Sequence, residues 1–355
     1  MSFDINKLVR KHIADLQPYS SARDEFDPVI RQVVYLDANE NPFENGVNRY
    51  PDPQQRKLKQ IIASQKGVSE KQLLLGNGSD EVLDLIFRAF CVPNQDEIMI
   101  MPPTYGMYKV LANINCITLR EVCLDIDFQI VIKNIFNQIS DQTKAIFLCS
   151  PNNPSGNSFD REDLLSLVQS FDGLVVVDEA YIDFSTQDSL ISELSNNPNL
   201  IITQTLSKAY GMAGIRLGIC IASEEIIAIL NKIKPPYNIN TLTQERAIDS
   251  LQDQESIQTQ IKQLMEERGR LYEQLQGVSF AEKVYPSDAN FLLVRVDDAD
   301  KRYAQLLDND IVVRNRSQQY GCENCLRFSV GTADENKILI QKRKTNLFLM
   351  AIQEL

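Results

Sequence analysis

The chain contains 355 residues, of which 43% are hydrophobic, and it carries a formal net charge of −12. This length is greater than that of a domain built around one small hydrophobic core, so we predict two domains. The negative charge disfavours nucleic acid or an anionic membrane as a partner. The sequence has no apolar run of roughly 18 residues and no secretory apolar core at its N-terminus, so we expect a cytoplasmic protein that does not associate with a membrane.

The cysteine and histidine content excludes several classes of site. Seven cysteines, an odd number without regular spacing, indicate reduced thiols rather than a disulfide framework. Cys322 and Cys325 form a lone C-x-x-C pair without a nearby histidine, and we predict no metal site. The only histidine is His12, in the N-terminal segment, so a Ser-His-Asp hydrolase is close to excluded. Proton transfer must therefore use Lys, Tyr, Asp or Glu.

The N-terminal part predicts an arm followed by the first elements of a sheet. Residues 1–28 read as the arm, with a short amphipathic helix from Ile5 to Leu16. A strand that runs into a polar turn is predicted over 33–43, and a helix over 58–63. Leu73–Val82 predicts a strand, a glycine turn and the start of a helix over 79–90. Its glycines match neither a dinucleotide fingerprint nor a P-loop, but a helix start with free amides suits a phosphate group.

Strand-like and helix-like segments alternate from residue 98 onward. Apolar runs of strand length cover 98–101, 145–149, 174–178 and 200–202. Such runs, separated by helices, predict a mostly parallel sheet that is covered on both faces. Ligands bind beyond the carboxyl ends of the strands in these sheets. Asn153, Asp178, Tyr181 and Lys208 all follow strand ends, so we expect them at one edge.

The pattern changes after about residue 245. A long polar helix is predicted over 252–276 and another helix over 299–307, with strands over 289–296, 311–314 and 326–330 and a final helix. This order indicates a smaller α+β domain. We therefore predict an arm at 1–28, a large α/β domain at 29–245 and a small domain at 246–355.

The predicted sheet edge suits the chemistry of pyridoxal 5'-phosphate. That cofactor needs an amine for its aldehyde, a carboxylate at its ring nitrogen, donors to its ring oxygen and a cup for its phosphate. The amine is predicted to come from Lys208 and the carboxylate from Asp178. The donors to the ring oxygen are predicted to be Tyr181 and Asn153. The phosphate cup is predicted from Gly78, Ser79, Asp80, Ser207 and Arg216. Each residue alone has an ordinary structural explanation, but their occurrence at successive strand ends favours the site.

Three motifs carry a family resemblance. Ser150–Gly156, Val177–Tyr181 and Thr205–Gly211 resemble the signatures of fold-type I, class II aminotransferases, which use pyridoxal phosphate. Within that family the chain is similar to the histidinol-phosphate aminotransferases. The motifs for that branch are residues 18–23, 37–42, 49–52, 287–291 and 325–331. The resemblance spans about residues 18–332.

The resemblance implies further roles for individual residues. Lys208 would bind the cofactor and move the substrate's α-proton, and Tyr105 would stack on the cofactor ring. Tyr50 would reach the cofactor phosphate from the other subunit, which implies a homodimer with a shared site. The implied substrate-binding residues are Tyr19, Asn39, Arg314 and Arg327. Of these, Arg327 would bind the carboxylate of glutamate and, with Arg314 and Tyr19, the phosphate of histidinol phosphate.

Two alternative functions remain at this point. An aromatic-amino-acid aminotransferase or a threonine-phosphate decarboxylase of the same fold would use the same cofactor residues. A non-catalytic pyridoxal-binding regulator would need a DNA-binding segment, and the acidic sequence offers none.

Overall fold

The computed structural model describes residues 4–19, 23 and 34–341. These residues contain one seven-stranded sheet and one four-stranded sheet. The strands of the larger sheet are β1 (Leu73–Asn77), β2 (Glu97–Ile100), β3 (Thr118–Glu121), β4 (Thr143–Cys149), β5 (Leu174–Asp178), β6 (Leu200–Thr205) and β7 (Leu217–Ala222). Their spatial order is β1-β7-β6-β5-β4-β2-β3. Only β7 runs in the direction opposite to the other six strands, so the predicted mostly parallel sheet is confirmed.

Both faces of the larger sheet are buried, which explains why its central strands are continuously apolar. In β5, Val175 and Val177 pack into one core cluster, whereas Leu174 and Val176 pack into another. Successive side chains of a strand point to opposite faces. Four helices cover the first face: α2 (Arg56–Lys66), α5 (Ile132–Phe136), α6 (Arg161–Ser170) and α8 (Thr241–Gln252). The other face packs against α3 (Ser79–Phe90), α4 (Met107–Ile114) and α7 (Glu224–Ile233).

The smaller sheet has its own hydrophobic core. Its strands are β8 (Ala281–Val284), β9 (Phe291–Val296), β10 (Arg314–Asn315) and β11 (Cys325–Ser329), in the order β10-β11-β9-β8. The associated helices are α9 (Gln254–Gln276), α10 (Ala299–Leu307) and α11, described over 333–341. All adjacent strands are antiparallel. This arrangement confirms the predicted smaller α+β unit, although β10 is shorter than the predicted strand at 311–314.

The N-terminal segment departs from the prediction in two places. Instead of one helix there is a 3₁₀ turn at Ile5–Lys7 and a short helix α1 (Lys11–Ala14), because the backbone at Arg10 is extended. Residues 34–43 form no strand, so the strand predicted over 33–43 is wrong over its described part; residue 33 lies outside the described residues. Val34 and Leu36 are 79% and 89% exposed, and their segment lies beside no described strand that could pair with it.

The predicted domain boundary near residue 245 falls inside α8. Ala247 and Leu251 of this helix belong to the same core cluster as Leu75 of β1. We therefore propose that the second unit begins with α9. The other predicted boundaries stay predictions, and most of 20–33 and all of 342–355 lie outside the described residues.

Candidate active site

The carboxylate of Asp178 lies at the end of the central strand β5 and is almost fully buried, with 3% exposure. Its Oδ1 accepts a hydrogen bond from the amide of Ala180 at 3.1 Å, and its Oδ2 accepts one from the hydroxyl of Tyr108 at 2.9 Å. Burial raises the pKa of Asp178, and these hydrogen bonds oppose the rise. Among the described residues no cationic side chain forms an ion pair with it, so the site favours a cationic ligand group at this carboxylate.

The amine of Lys208 lies three residues beyond the end of β6, on the neighbouring strand end. Its Nζ is 5.7 Å from the centre of the Tyr181 ring. Burial lowers the pKa of Lys208, and the positive charge of Arg327 lowers it further, against an opposing effect of Asp178. A larger fraction of the amine is therefore neutral, which is the form that can act as a nucleophile or a base.

Asn153 links the two sheets at this site. It follows β4, and its Nδ2 lies 3.4 Å from the hydroxyl of Tyr181. Arg327 of β11 donates from Nη1 to the Oδ1 of Asn153, and its guanidinium lies over the ring of Phe291, 5.0 Å from the centroid. Both Asn153 and Tyr181 are buried. The strand-end cluster of the large sheet therefore meets an arginine of the small sheet.

The start of α3 forms a second part of the site. Gly78 has a φ of +77°, and its amide donates to the carbonyl of Arg216 at 2.8 Å. A Cβ at Gly78 would lie 2.5 Å from Nη2 of Arg216, so the glycine allows the guanidinium to lie against the helix start. The amides of the first helical turn and this guanidinium form a suitable site for a phosphate group.

Asp80 orients its neighbours beside this helix start. Its Oδ1 accepts a hydrogen bond from the Tyr105 hydroxyl at 3.0 Å, and its Oδ2 lies 3.6 Å from Nη2 of Arg216. Because a carboxylate repels phosphate, its contacts indicate a positioning role for Tyr105 and Arg216. Ser207, half-buried, donates its amide to the hydroxyl of Thr205 at 3.1 Å, which leaves its own hydroxyl available to a ligand.

Sequence analysis did not identify Tyr108. Its side chain is fully buried in α4, with its ring edge-on to Tyr105 and tilted against Phe147, and it reaches Asp178 from the far side of the strand end. Burial raises the pKa of Tyr108 further above its usual value, so the hydroxyl remains a donor at neutral pH. The only signal in the sequence is its spacing, one turn of helix after Tyr105.

Three predicted residues make no contact with this cluster among the described residues. Tyr19 is 74% exposed, and Asn39 and Tyr50 line a separate cleft of about 520 Å³. The backbone of Tyr50 is held firmly: its amide donates to Glu40 at 2.6 Å, and its carbonyl accepts from Arg23 at 2.6 Å. The ring of Tyr50 stacks on Tyr237 at 4.5 Å and remains half exposed.

Arg314 is exposed, and it pairs directly with Arg327 in the register of β10 and β11. Because directly opposed residues of two strands project to the same face, Arg314 and Arg327 share a face of the small sheet.

Comparison with known proteins identifies the family. The family model described as aminotransferase class I and II matches residues 32–342. The chain belongs to this family. A histidinol-phosphate aminotransferase from Flavobacterium johnsoniae is 58% identical over 344 residues, which cover 97% of this chain and 99% of that protein. Another from Christiangramia forsetii is 59% identical over 342 residues, covering 96% of this chain and 98% of that protein.

Solved structures of family members share the fold. The histidinol-phosphate aminotransferase from Clostridium acetobutylicum is 27% identical and superimposes with a TM-score of 0.78, covering 84% of this chain and 90% of that chain. The enzyme from Sinorhizobium meliloti, solved in complex with pyridoxal 5'-phosphate, is 23% identical with a TM-score of 0.75, covering 84% of this chain and 83% of that one. No helix of the described ranges is both long and apolar enough to cross a membrane.

Proposed function

We propose that the chain transfers an amino group reversibly between histidinol phosphate with 2-oxoglutarate and imidazole-acetol phosphate with glutamate, a reaction of histidine biosynthesis. The similarity to histidinol-phosphate aminotransferases over nearly the whole chain supports this reaction. The observation that carries it is the arrangement of Lys208 near a buried carboxylate, with Arg327 reaching the same cluster from the small sheet.

The residues fit pyridoxal 5'-phosphate as the cofactor. The buried carboxylate of Asp178 lacks a cationic partner among the described side chains, which suits a protonated ring nitrogen. A side chain at Gly78 would fill the space that Arg216 occupies beside the helix start, where a phosphate would bind. When bound, this cofactor supplies an aldehyde for the amino group and a ring that accepts electrons.

The protein's own residues would then bind, orient and move protons. The Nζ of Lys208 acts as the base that moves the α-proton, aided by its lowered pKa. Tyr181 and Asn153 would hold the ring oxygen of the bound cofactor, and Tyr105 would stack on its ring. Arg327 binds the carboxylate of glutamate through its planar fork.

Arg314 and Tyr19 would bind the substrate phosphate together with Arg327, and Asn39 would contact the substrate. Arg314 shares its sheet face with Arg327, which supports this role. Tyr19 is exposed and Asn39 lines a separate cleft, and neither contacts the cluster among the described residues, so we assign both to a site completed by a second subunit.

A homodimer with a shared site would explain the surface around Tyr50. Five large apolar side chains on this part of the chain are more than half exposed: Val34, Leu36, Phe43, Val47 and Leu242. Exposed large apolar side chains that cluster in one region are typical of protein interfaces, and Val47 and Leu242 line the same cleft as Tyr50. We propose that Tyr50 of one subunit contacts the cofactor phosphate of the other.

Hybrid dimers test this shared site. Tyr50→Phe and Lys208→Ala subunits are each expected to have low activity. Their mixed dimer is expected to recover activity, because one of its two sites receives both wild-type residues. Lack of recovery in a dimer shown by sedimentation to be mixed would contradict the action of Tyr50 across the interface.

We also propose a cytoplasmic location. All seven cysteines are free in the structure, and five of them are buried. Free thiols persist in reducing compartments, which supports this proposal.

A substrate panel tests the reaction. Purified holoenzyme is incubated with 2-oxoglutarate and histidinol phosphate, phenylalanine or threonine phosphate, and both glutamate and carbon dioxide are measured. We expect the highest kcat/KM for glutamate formation with histidinol phosphate. Preference for phenylalanine, or carbon dioxide from threonine phosphate, would replace this function by the corresponding alternative. A Lys208→Ala variant that retains the wild-type rate would contradict the mechanism.

A further inference from the structure

Arg314, Arg316 and Arg327 lie on one face of the small sheet; Arg295 shares that face but pairs with Glu323 at 3.9 Å. Arg314 pairs directly with Arg327 across β10 and β11. The ladder continues past β10, because the amide of Arg316 donates to the carbonyl of Cys325 at 2.8 Å. Residues two apart on a strand share a face, so Arg316 projects to the same side as Arg314 and Arg327. Sequence analysis named only two of these three side chains.

The three guanidinium groups have no counter-charge within the described part of the chain. None of them forms an ion pair with a carboxylate there, although other arginines of the small unit do, such as Arg302 with Asp297 at 2.5 Å. The Nε atoms of Arg316 and Arg327 are buried and hydrogen-bond to nothing described. Buried donors and like charges of this kind cost stability unless a ligand pairs with them.

The electrostatics place Arg316 inside this cluster. Burial lowers the pKa of Arg327 to about 10, and the charge of Arg316 is the next largest cause. Burial likewise lowers the pKa of Arg316, followed by the charge of Arg314. Tyr181 acts on both Arg316 and Arg327, so Arg316 lies on the side of the cluster that faces the strand-end site.

We propose that Arg316 is a specificity-determining residue that binds the phosphate of the phosphorylated amine substrate. This inference rests on the proposed function. Each of the two carboxylates of glutamate carries one negative charge and is satisfied by the fork of one arginine, so two arginines suffice for glutamate, whereas a phosphate dianion concentrates two charges on three terminal oxygens. The third arginine therefore adds binding energy for the phosphorylated amine and little for glutamate.

If Arg316 had a purely structural role, its replacement would lower the unfolding temperature. A ligand-binding role predicts no such loss. The fold uses its backbone amide and carbonyl, and every substitution except proline retains them. Its side-chain charge is a net cost in the ligand-free site. Removal of that charge should therefore raise the unfolding temperature of the holoenzyme measured without substrate or phosphate, or leave it unchanged.

The test compares Arg316→Gln with Arg316→Lys and with the control Arg302→Gln, which removes an ion-paired arginine of the same unit. Half-reactions are measured with histidinol phosphate, unphosphorylated histidinol and glutamate. For Arg316→Gln we expect kcat/KM for histidinol phosphate to fall about 10- to 100-fold, the range of one charged hydrogen bond. The values for histidinol and glutamate should change less than about threefold, within context effects. Arg316→Lys should recover part of the loss.

Thermal unfolding of the holoenzyme with and without inorganic phosphate supplies a readout that does not depend on turnover. Phosphate should stabilise the wild type and Arg302→Gln by equal amounts, and Arg316→Gln less. Arg302→Gln alone should lower the unfolding temperature. The proposal is overturned if all three half-reactions fall equally, if only glutamate is affected, or if phosphate stabilises Arg316→Gln as strongly as the wild type. If instead the wild type fails to use histidinol phosphate, the proposed function fails, while the phosphate-dependent unfolding still tests Arg316.

Discussion

Replacement of Tyr108 by phenylalanine removes one oxygen atom from the support of Asp178. The hydroxyl of Tyr108 donates to Oδ2 of Asp178 at 2.9 Å in a fully buried position. The ring contacts with Tyr105 and Phe147 do not involve that oxygen, so phenylalanine keeps the packing. After the change, only the amide of Ala180 still donates to the carboxylate among the hydrogen bonds described here.

The expected magnitude follows from the loss of one hydrogen bond to a charged group. Such a bond contributes about 1.5–3 kcal/mol. The pKa of Asp178, which burial already raises, should therefore rise further when this hydrogen bond is lost. As the pH is lowered, Asp178 of the variant is therefore protonated at a higher pH than Asp178 of the wild type. We expect cofactor affinity at neutral pH to fall about 10- to 100-fold and the acid limb of the activity profile to shift upward.

The assay is an absorbance titration of apoprotein with pyridoxal 5'-phosphate at several pH values. The matched control is Tyr285→Phe, which makes the same chemical change at a buried tyrosine of the other unit. An unchanged dissociation constant and pH profile in Tyr108→Phe, or equal losses in the control, would refute the reasoning.

Three other substitutions test separate parts of the structure. Gly78→Ala should weaken cofactor binding, because alanine at this backbone conformation costs about 1–3 kcal/mol and its Cβ would displace Arg216; an unaltered dissociation constant would argue against the phosphate cup. Lys59→Met should raise the unfolding temperature at pH 7, because burial lowers the pKa of Lys59 from 10.5 to about 8, a cost of up to about 3 kcal/mol. As the pH rises, the amine of Lys59 loses its proton near pH 8 in the folded protein but only near pH 10.5 in the unfolded chain. The stability of the wild type should therefore rise between pH 8 and 10.5, and this rise should vanish in Lys59→Met. Glu97→Gln should lower the unfolding temperature at pH 7. Burial would raise the pKa of Glu97, but hydrogen bonds led by Arg120 hold it below its usual value, so this stabilisation is lost as the pH falls below about 4.5, where the variant and the wild type should converge.

Apolar patterning along the chain was enough to predict the large sheet and the residues at its carboxyl edge. Continuous apolar runs predicted parallel strands buried on both faces, and the structure has them. In a parallel sheet the strand ends share one edge, so the residues that follow them come together regardless of loop detail. For this reason Asn153, Tyr181 and Lys208 could be grouped before any coordinates were known, and they lie in contact or close to it.

Only the tertiary structure decided which side chains approach that edge from other elements. Tyr108 reaches Asp178 because α4 packs over the sheet, and Arg327 reaches Asn153 because the small sheet docks against the large one. The placement of Arg316 beside Arg327 depends on strand register, which is set by which sheet face is buried and by the geometry of the connecting turn. The segment over 34–43 begins with residues typical of strands, but it pairs with no described strand. A strand-like sequence pattern indicates which residues could be buried. A strand forms only where the backbone of a second segment is available for hydrogen bonding.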